Sequence, residues 1–296
     1  MTDTLRTLLP GLYQPLLPEV FDTTSPAEPK ATCATCAMCP PKDAPPPTAD
    51  VTYFRPDAKC CTFEPRLPSY LVGAILADER PDMAEGRRRV RAKIAAKIGA
   101  TPRWLAPPAK REVLMSAAWR NGFGRSLTLL CPYFEREGGL CTVWRHREAV
   151  CSTFFCKYDA AADGEHFWKS VRSLVGYVER VLSLHVTREL LPGYEPPAAQ
   201  RDLTLEELED RPPSENDYQA LRGAWAGREE ELTASGAAPC GAEADADAMG
   251  GGITTGGSGP SAGRRRTRRG AGPRGAGQIE SSRARLAPSR RRAPRA

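Results

Sequence analysis

The chain has 296 residues, 41% of them hydrophobic and 26% charged, enough for one or two domains and for a buried core over part of its length. Its 28 prolines and 26 glycines exceed average usage and imply long irregular stretches. The net charge of +6 is unevenly spread: from Gly259 to Ala296 twelve arginines stand against one acid, Glu280, a net of +11 that leaves −5 on the rest, so the body offers no electrostatic footprint for nucleic acid.

The first residues, MTDTLRTLLPGLYQPLLPEVF, lack the basic start, unbroken apolar run and small-residue cleavage site of a secretory signal. No apolar run approaches the roughly 20 residues of a membrane helix. The expected location is cytoplasmic, where thiols stay reduced and clustered cysteines serve metal or catalysis rather than disulfides. Residues 1–29 read as an extended arm packed on the body. Residues 30–66 hold seven prolines from Pro40 to Pro65 and five of the ten cysteines, in a stretch that cannot form regular helix. A loop of that length needs something to hold it, and a metal is the obvious candidate.

Leu67 to Ile98 turns helical, with Tyr70, Leu71, Ala74 and Ile75 on one face and Val90, Ile94 and Ile98 continuing at helical spacing. Pro108 to Trp119 reads as a second helix, with Val113, Leu114, Ala117 and Ala118 inward and Asn121-Gly122 as its stop. Asp163 is the expected cap of a long helix from Gly164 to about Leu191, whose apolar face runs Phe167, Val171, Leu174, Val178, Val181 and His185. Thr204-Leu-Glu-Glu starts a short helix, and Ser214 caps another that runs to about Leu232. From Thr233 the large apolar residues thin out, so 233–296 is expected to be a disordered Gly/Arg-rich tail. Its arginines are a solvated face or a nonspecific contact for nucleic acid or acidic partners.

The cysteines carry the chemistry. Cys33, Cys36 and Cys39 form Cys-x2-Cys-x2-Cys, Cys60 and Cys61 are adjacent, and Cys131, Cys141, Cys151 and Cys156 follow at intervals of ten, ten and five. Cys240 stands alone in the tail. Thiolates are strong soft ligands for zinc and iron, and two-residue spacing turns neighbours onto one ion. The first run opens like a bacterial ferredoxin motif, but no fourth cysteine arrives at the required spacing. Neighbours in extended chain point to opposite sides, so Cys60 and Cys61 are expected to reach different metals, or one of them to be spare. Neither group has core enough to close a four-thiolate site alone. Sulfurs from Cys33–Cys61 should therefore meet those from Cys131–Cys156.

The segment CPYFEREGGLCTVWRHREAVCSTFFC, residues 131–156, resembles the YkgJ-type cysteine-cluster family, a zinc- or iron-chelating domain. Its Cys131-Pro132 opening, Gly138-Gly139 turn, Cys141-Thr-Val143-Trp144 and Cys151-x2-Phe154-x-Cys156 follow that plan. Two departures stand out. Twenty residues separate Cys39 from Cys60 where the family joins the vicinal pair directly to the first run. Arg147-Glu148 replaces the family's Arg-Pro. The resemblance spans about residues 30–160 and implies metal chelation with no established reaction.

Of the three histidines, His185 reads as a core residue and His146 as exposed. His166 is the best non-cysteine ligand candidate. No phosphate-binding glycine loop, Gly-x-Ser-x-Gly or His-Glu-x-x-His is present. Asn121-Gly-Phe-Gly-Arg125 reads as the turn that delivers the chain to Cys131 rather than as an anion cradle. The expectation is a mainly α fold: a small helical domain at 30–195 whose irregular cysteine loops are nucleated by metal, a short helical extension at 196–232 and a disordered tail. The expected function is zinc or iron binding. An iron–sulfur protein in redox chemistry or an enzyme subunit is the alternative, and a disulfide-bearing structural protein outside the cytoplasm comes third.

Overall fold

A computed structural model of the chain describes residues 4–24, 33, 36–41, 53–196 and 202–241. The arginine-rich segment, with its nucleic-acid or acidic-partner reading, and the side chain of Cys240 lie outside the described residues. What is described is mainly helical, as expected.

Helix α2 (Ser69–Ala77) sits at the centre, with Ser69, Tyr70, Leu71, Val72, Gly73 and Ile75 all buried. A helix apolar on every side must be packed on every side, and α2 serves two cores. One, with Val72 and Ile75, gathers Met83, Val90, Tyr133 and Phe134. The other, with Tyr70 and Leu71, gathers Tyr13, Trp168, Val171 and Val175. Just before α2, strand β1 (Leu67–Pro68) pairs antiparallel with β2 (Trp104–Leu105), Leu67 opposite Leu105. The helical run expected from Leu67 to Ile98 is interrupted: Pro81 opens a 3₁₀ turn (Pro81–Met83), and α3 runs Ala84–Ala95. Val90 and Ile94 point inward as their spacing predicts.

The N-terminal arm is not extended. It forms a short helix α1 (Leu5–Leu8) and two 3₁₀ turns, Gly11–Leu16 and Glu19–Asp22, and a bridge between Thr4 and Thr24 closes it into a loop. Proline at the turns fixes φ without needing a donor, and Leu5, Leu9, Tyr13, Leu17 and Phe21 drop into the second core.

Helix α6 (Ala161–Leu190) begins earlier than expected and is not capped by Asp163, which lies inside its first turn; its N-cap is Ala160, with no side-chain hydrogen bond. Its buried stripe is Gly164, Trp168, Val171, Val175, Glu179, Ser183, Val186 and Thr187. Of the predicted apolar face, Phe167, Leu174, Val181 and His185 are exposed and Val178 is half-buried, so only Val171 is buried. Two stripes at helical spacing compete on this helix, and the one carrying Trp168 with two small polar residues won the core. Helix α4 (Ala109–Gly122) departs similarly. Val113 and Leu114 are exposed, Ala117 too, while Arg111, Met115 and Gly122 face the body.

At the C-terminal end, α7 (Leu205–Leu208) has the expected capping box from Thr204 and Glu207, and Ser214 caps α8 (Glu215–Arg222). That helix stops at Gly223, whose φ of 54° favours glycine. A separate helix α9 (Glu229–Gly241) follows. So the segment from Thr233, expected to be disordered, is helical to Gly241. Its small residues are the reason. A Cβ on Gly73 would overlap the Thr233 carbonyl, and one on Gly236 would lie 2.9 Å from Val186 Cγ1. α9 is held by backbone approach to α2, which a count of large apolar residues does not register. No helix among the described residues is long and apolar enough to cross a membrane.

Candidate metal centre

The early and late cysteine groups come together. Cys33, Cys36, Cys60, Cys61, Cys141, Cys151 and Cys156 line one cavity of about 160 Å³, walled by Phe63, Trp119, Phe123, Trp144 and Phe154. The remaining two adjoin it. Cys39 hydrogen-bonds Cys36, and Cys131 is buried with its N–H donating to the Cys61 carbonyl at 2.6 Å.

Turns, not strands, present the early thiols. Cys39 N–H bonds the Cys36 carbonyl at 3.1 Å, and Phe54 N–H bonds the Met38 carbonyl at 2.7 Å. Residues 58–63 are coiled by the bonds Cys61 to Ala58 and Phe63 to Cys60, with Lys59 left-handed at φ 52°. This overturns the extended-chain expectation for the vicinal pair. In a turn the alternation of a strand is lost, and the Cys60 and Cys61 thiols touch each other. Gly124 anchors the loop from the other side: its N–H donates to Thr62 Oγ1 at 2.7 Å, and its carbonyl accepts from Arg55 N–H at 2.8 Å. Its φ of 74° and the Phe54 ring against it leave no room for a side chain. Asn121 and Gly122 finish α4, and Phe123–Arg125 form the expected turn.

The late thiols are set by a hairpin and a short helix. Strands β3 (Phe134–Glu135) and β4 (Leu140–Cys141) pair through the Gly138-Gly139 turn, placing Cys141 opposite Phe134. Helix α5 (Ala149–Thr153) carries Cys151, and Glu148 caps it by accepting from Val150 N–H and Cys151 N–H at 2.6 and 2.9 Å. Behind it, Glu179 of α6 accepts from Ala149 N–H at 2.7 Å and from the Tyr13 hydroxyl. Burial pushes the Glu179 carboxyl up to about 8, with the neighbouring Glu148 adding to the shift.

Five thiols form a chain of contacts: Cys39 to Cys36, Cys36 to Cys156, Cys156 to Cys60, and Cys60 to Cys61. Cys36 is drawn down to about 6, chiefly by its hydrogen bond from Cys156. Cys60 falls well below its ordinary value through bonds from Cys156 and Cys61. The donors Cys156 and Cys61 move upward, and burial takes Cys39 to about 12. Cys156 has one proton for two sulfur acceptors, so it donates to one of Cys36 and Cys60 at a time. Away from it, burial raises Cys33 to about 11 and Cys131 to about 12.

Two cations that sequence reasoning passed over sit among the thiols. Lys59 Nζ donates at 2.6 Å to both the Cys33 and Gly139 carbonyls, clamping the early group to the late hairpin. Arg147 stacks on Trp144 at 3.4 Å and bonds the Trp144 and Cys151 carbonyls at 3.0 Å each. Its charge acts on Cys33, Cys60, Cys141 and Cys151. The sequence marks Arg147 only by its place four residues before Cys151 and as the arginine of the family-like Arg-x pair.

No histidine lines the cavity. His146, expected to be exposed, is half-buried with Nε2 2.8 Å from Asp78 Oδ2. His166 and His185 are both exposed on α6, so His185 is not a core residue. Among the described residues no group of three or more His, Cys, Asp or Glu side chains is arranged to hold a metal ion. The thiol contacts run pairwise, whereas a tetrahedral site with bonds of about 2.3 Å needs four sulfurs mutually about 3.8 Å apart. The donor chemistry fits a soft metal: all the side chains here able to ligate one are thiols, two of them shifted toward thiolate, with Lys59 and Arg147 to offset their charge. No family model, curated protein or solved structure matches this chain.

Proposed function

We propose that this is a cysteine-cluster protein of the YkgJ type that binds zinc or iron through Cys36, Cys60 and Cys156, completed by Cys39 or Cys61. The observation that supports it is the position of Cys156, whose sulfur reaches one thiol of the Cys-x2-Cys-x2-Cys run and one of the vicinal pair. Three sequence-distant segments thus meet at one atom. The side chains need only turn about χ1 from pairs into a tetrahedron, a movement between staggered wells. Cys33, Cys131, Cys141 and Cys151, which act on one another electrostatically, are the remaining donors for a second ion or an iron–sulfur cluster, which keeps redox chemistry as the alternative reading. When bound, the metal would cross-link loops that burial alone does not hold. Arg147 and Lys59 would offset the negative charge of a multi-thiolate site.

The test is metal content of anaerobically purified full-length protein, measured beside Cys36→Ser, Cys60→Ser and Cys156→Ser. At least one equivalent in the parent and a loss in each variant are expected. Colour and an electron paramagnetic resonance signal would mark iron, since zinc is silent in both. A parent that carries no metal, with all cysteines titrating as free thiols, sinks the proposal.

A further inference from the structure

The long helix α6 has a second apolar stripe that the fold leaves uncovered. Phe167, Leu174 and Val181 recur every seven residues and are 41%, 40% and 51% exposed. On the same side lie the exposed Ser170 and Tyr177, 59% exposed, and, beyond Val181, the half-buried Leu184. At 100° per residue this stripe is centred some 120° from the Trp168–Val171–Val175 stripe that fills the core. A seven-residue apolar repeat on a helix face is the pattern that seats a partner helix in a left-handed pair. Soluble chains seldom leave such a continuous face open without a use for it.

The ends of the stripe say what the partner is. Continuing the same positions outward reaches Asp163 at the N-terminal end and Arg188 at the C-terminal end, both exposed. In an antiparallel pair of identical helices, first-type positions face fourth-type positions. Phe167 then meets Leu184, Leu174 meets Tyr177, Val181 meets the small Ser170, and Asp163 of each copy meets Arg188 of the other. A parallel pair would set Asp163 against Asp163 and Arg188 against Arg188. Arg188 now reaches the Glu195 carboxylate at 3.3 Å and the Tyr194 carbonyl at 3.3 Å; such exposed pairs are worth little and exchange easily.

We propose that α6 pairs antiparallel with α6 of a second copy of this chain, through the Phe167–Leu174–Tyr177–Val181 stripe closed at each end by Asp163 and Arg188. This is independent of the metal reading, since the stripe faces away from the second core and uses no thiol. The seam is about 35 Å long and about 10 Å across. That is below the roughly 800 Å² per partner of a standard interface, so the dimer is reversible and concentration-dependent.

Sedimentation velocity over a concentration series of the full chain tests it. The expected result is a shift from 32.2 kDa toward twice that mass as concentration rises. Leu174→Asp with Tyr177→Asp should abolish the shift while far-UV helicity and melting temperature stay unchanged, because both side chains are exposed. Asp163→Arg alone should weaken association, and adding Arg188→Asp should restore it. A single species of one chain mass up to about 1 mM overturns the proposal. So does a dimer that persists in the double aspartate variant or ignores the charge swap.

Discussion

Around α2 and α6 the chain closes by burial: Tyr13, Tyr70, Leu71, Trp168 and Val175 are almost wholly hidden. Around the thiols it closes by hydrogen bonds and clamps. Lys59 ties two loops, Gly124 braces a third, and Glu148 caps the short helix under Cys151. Outside Cys131, the thiols themselves are only half-buried. The first region can hold its shape on apolar surface, at roughly 25 cal/mol per Å² buried. The second orders the turns at residues 36–41 and 53–66 at about 1–2 kcal/mol per residue of lost backbone freedom, with little such surface to offset it.

Removing the proposed metal should expose that difference most. A closed thiolate site contributes on the order of 10 kcal/mol at neutral pH. Strong chelator is therefore expected to lower the melting temperature sharply and open the loops around Cys36 and Cys60 to protease, leaving α6 protected longest. Unchanged melting with intact loops would show that hydrogen bonds suffice there, and the thiols would then have a redox role.

Trp168→Ala strikes the other region. Emptying a fully buried indole costs about 3–5 kcal/mol, read by denaturant unfolding, and metal content per folded molecule should be unchanged. If metal falls as well, the two regions fold as one cooperative unit. Truncation before Thr233 is a related probe, since it strips α9 from Gly73 on α2 and uncovers Tyr70. A stability loss comparable to that of Trp168→Ala is expected, whereas ending the chain after Gly241 should cost nothing measurable.

Glu179 links the two regions, and its effect is smaller and dependent on pH. Its folded pKa of about 8 lies above the ordinary 4.5, so the native state holds a proton that the unfolded chain releases between those values. Stability from this group is therefore full below about pH 4.5 and lost as pH rises toward 8. Glu179→Gln keeps the acceptor for Ala149 N–H and the Tyr13 hydroxyl without the titration. The variant should gain on the parent by up to a few kcal/mol between pH 5 and 8, in thermal melts across that range. A constant difference over the range would mean that the carboxyl is ionised throughout. The smallest effect expected is that of Thr204→Ala, which removes the capping box of α7 and should cost about 1 kcal/mol locally, seen in hydrogen exchange of residues 205–208.

Much of the layout is legible along the chain. The capping signals at Thr204 and Ser214 are local hydrogen-bonding patterns, and they stand where the sequence puts them. Helices at 109–122 and 161–190 follow from apolar spacing, and the meeting of the two cysteine groups follows from their number and from the lack of any core to isolate them. These are short-range properties, or consequences of composition, so they survive without knowledge of neighbours.

Which face of a helix turns inward is a different kind of fact. On α6, Phe167, Leu174 and Val181 make as good a stripe as Trp168, Val171 and Val175, and on α4 Val113 and Leu114 look inward by spacing alone. The choice depends on what the opposing surface offers: Tyr13 and Ala149 for Glu179, a bare backbone at Gly73 for α9, and Arg103 bonding Ser183 at 2.9 Å. The geometry of Cys60 and Cys61 was likewise settled by a turn whose Lys59 and Thr62 bond the distant Gly139 and Gly124. Periodicity measures how apolar a direction is, but burial is decided by complementarity with a partner surface far away in the chain, and one segment read alone carries no record of that partner.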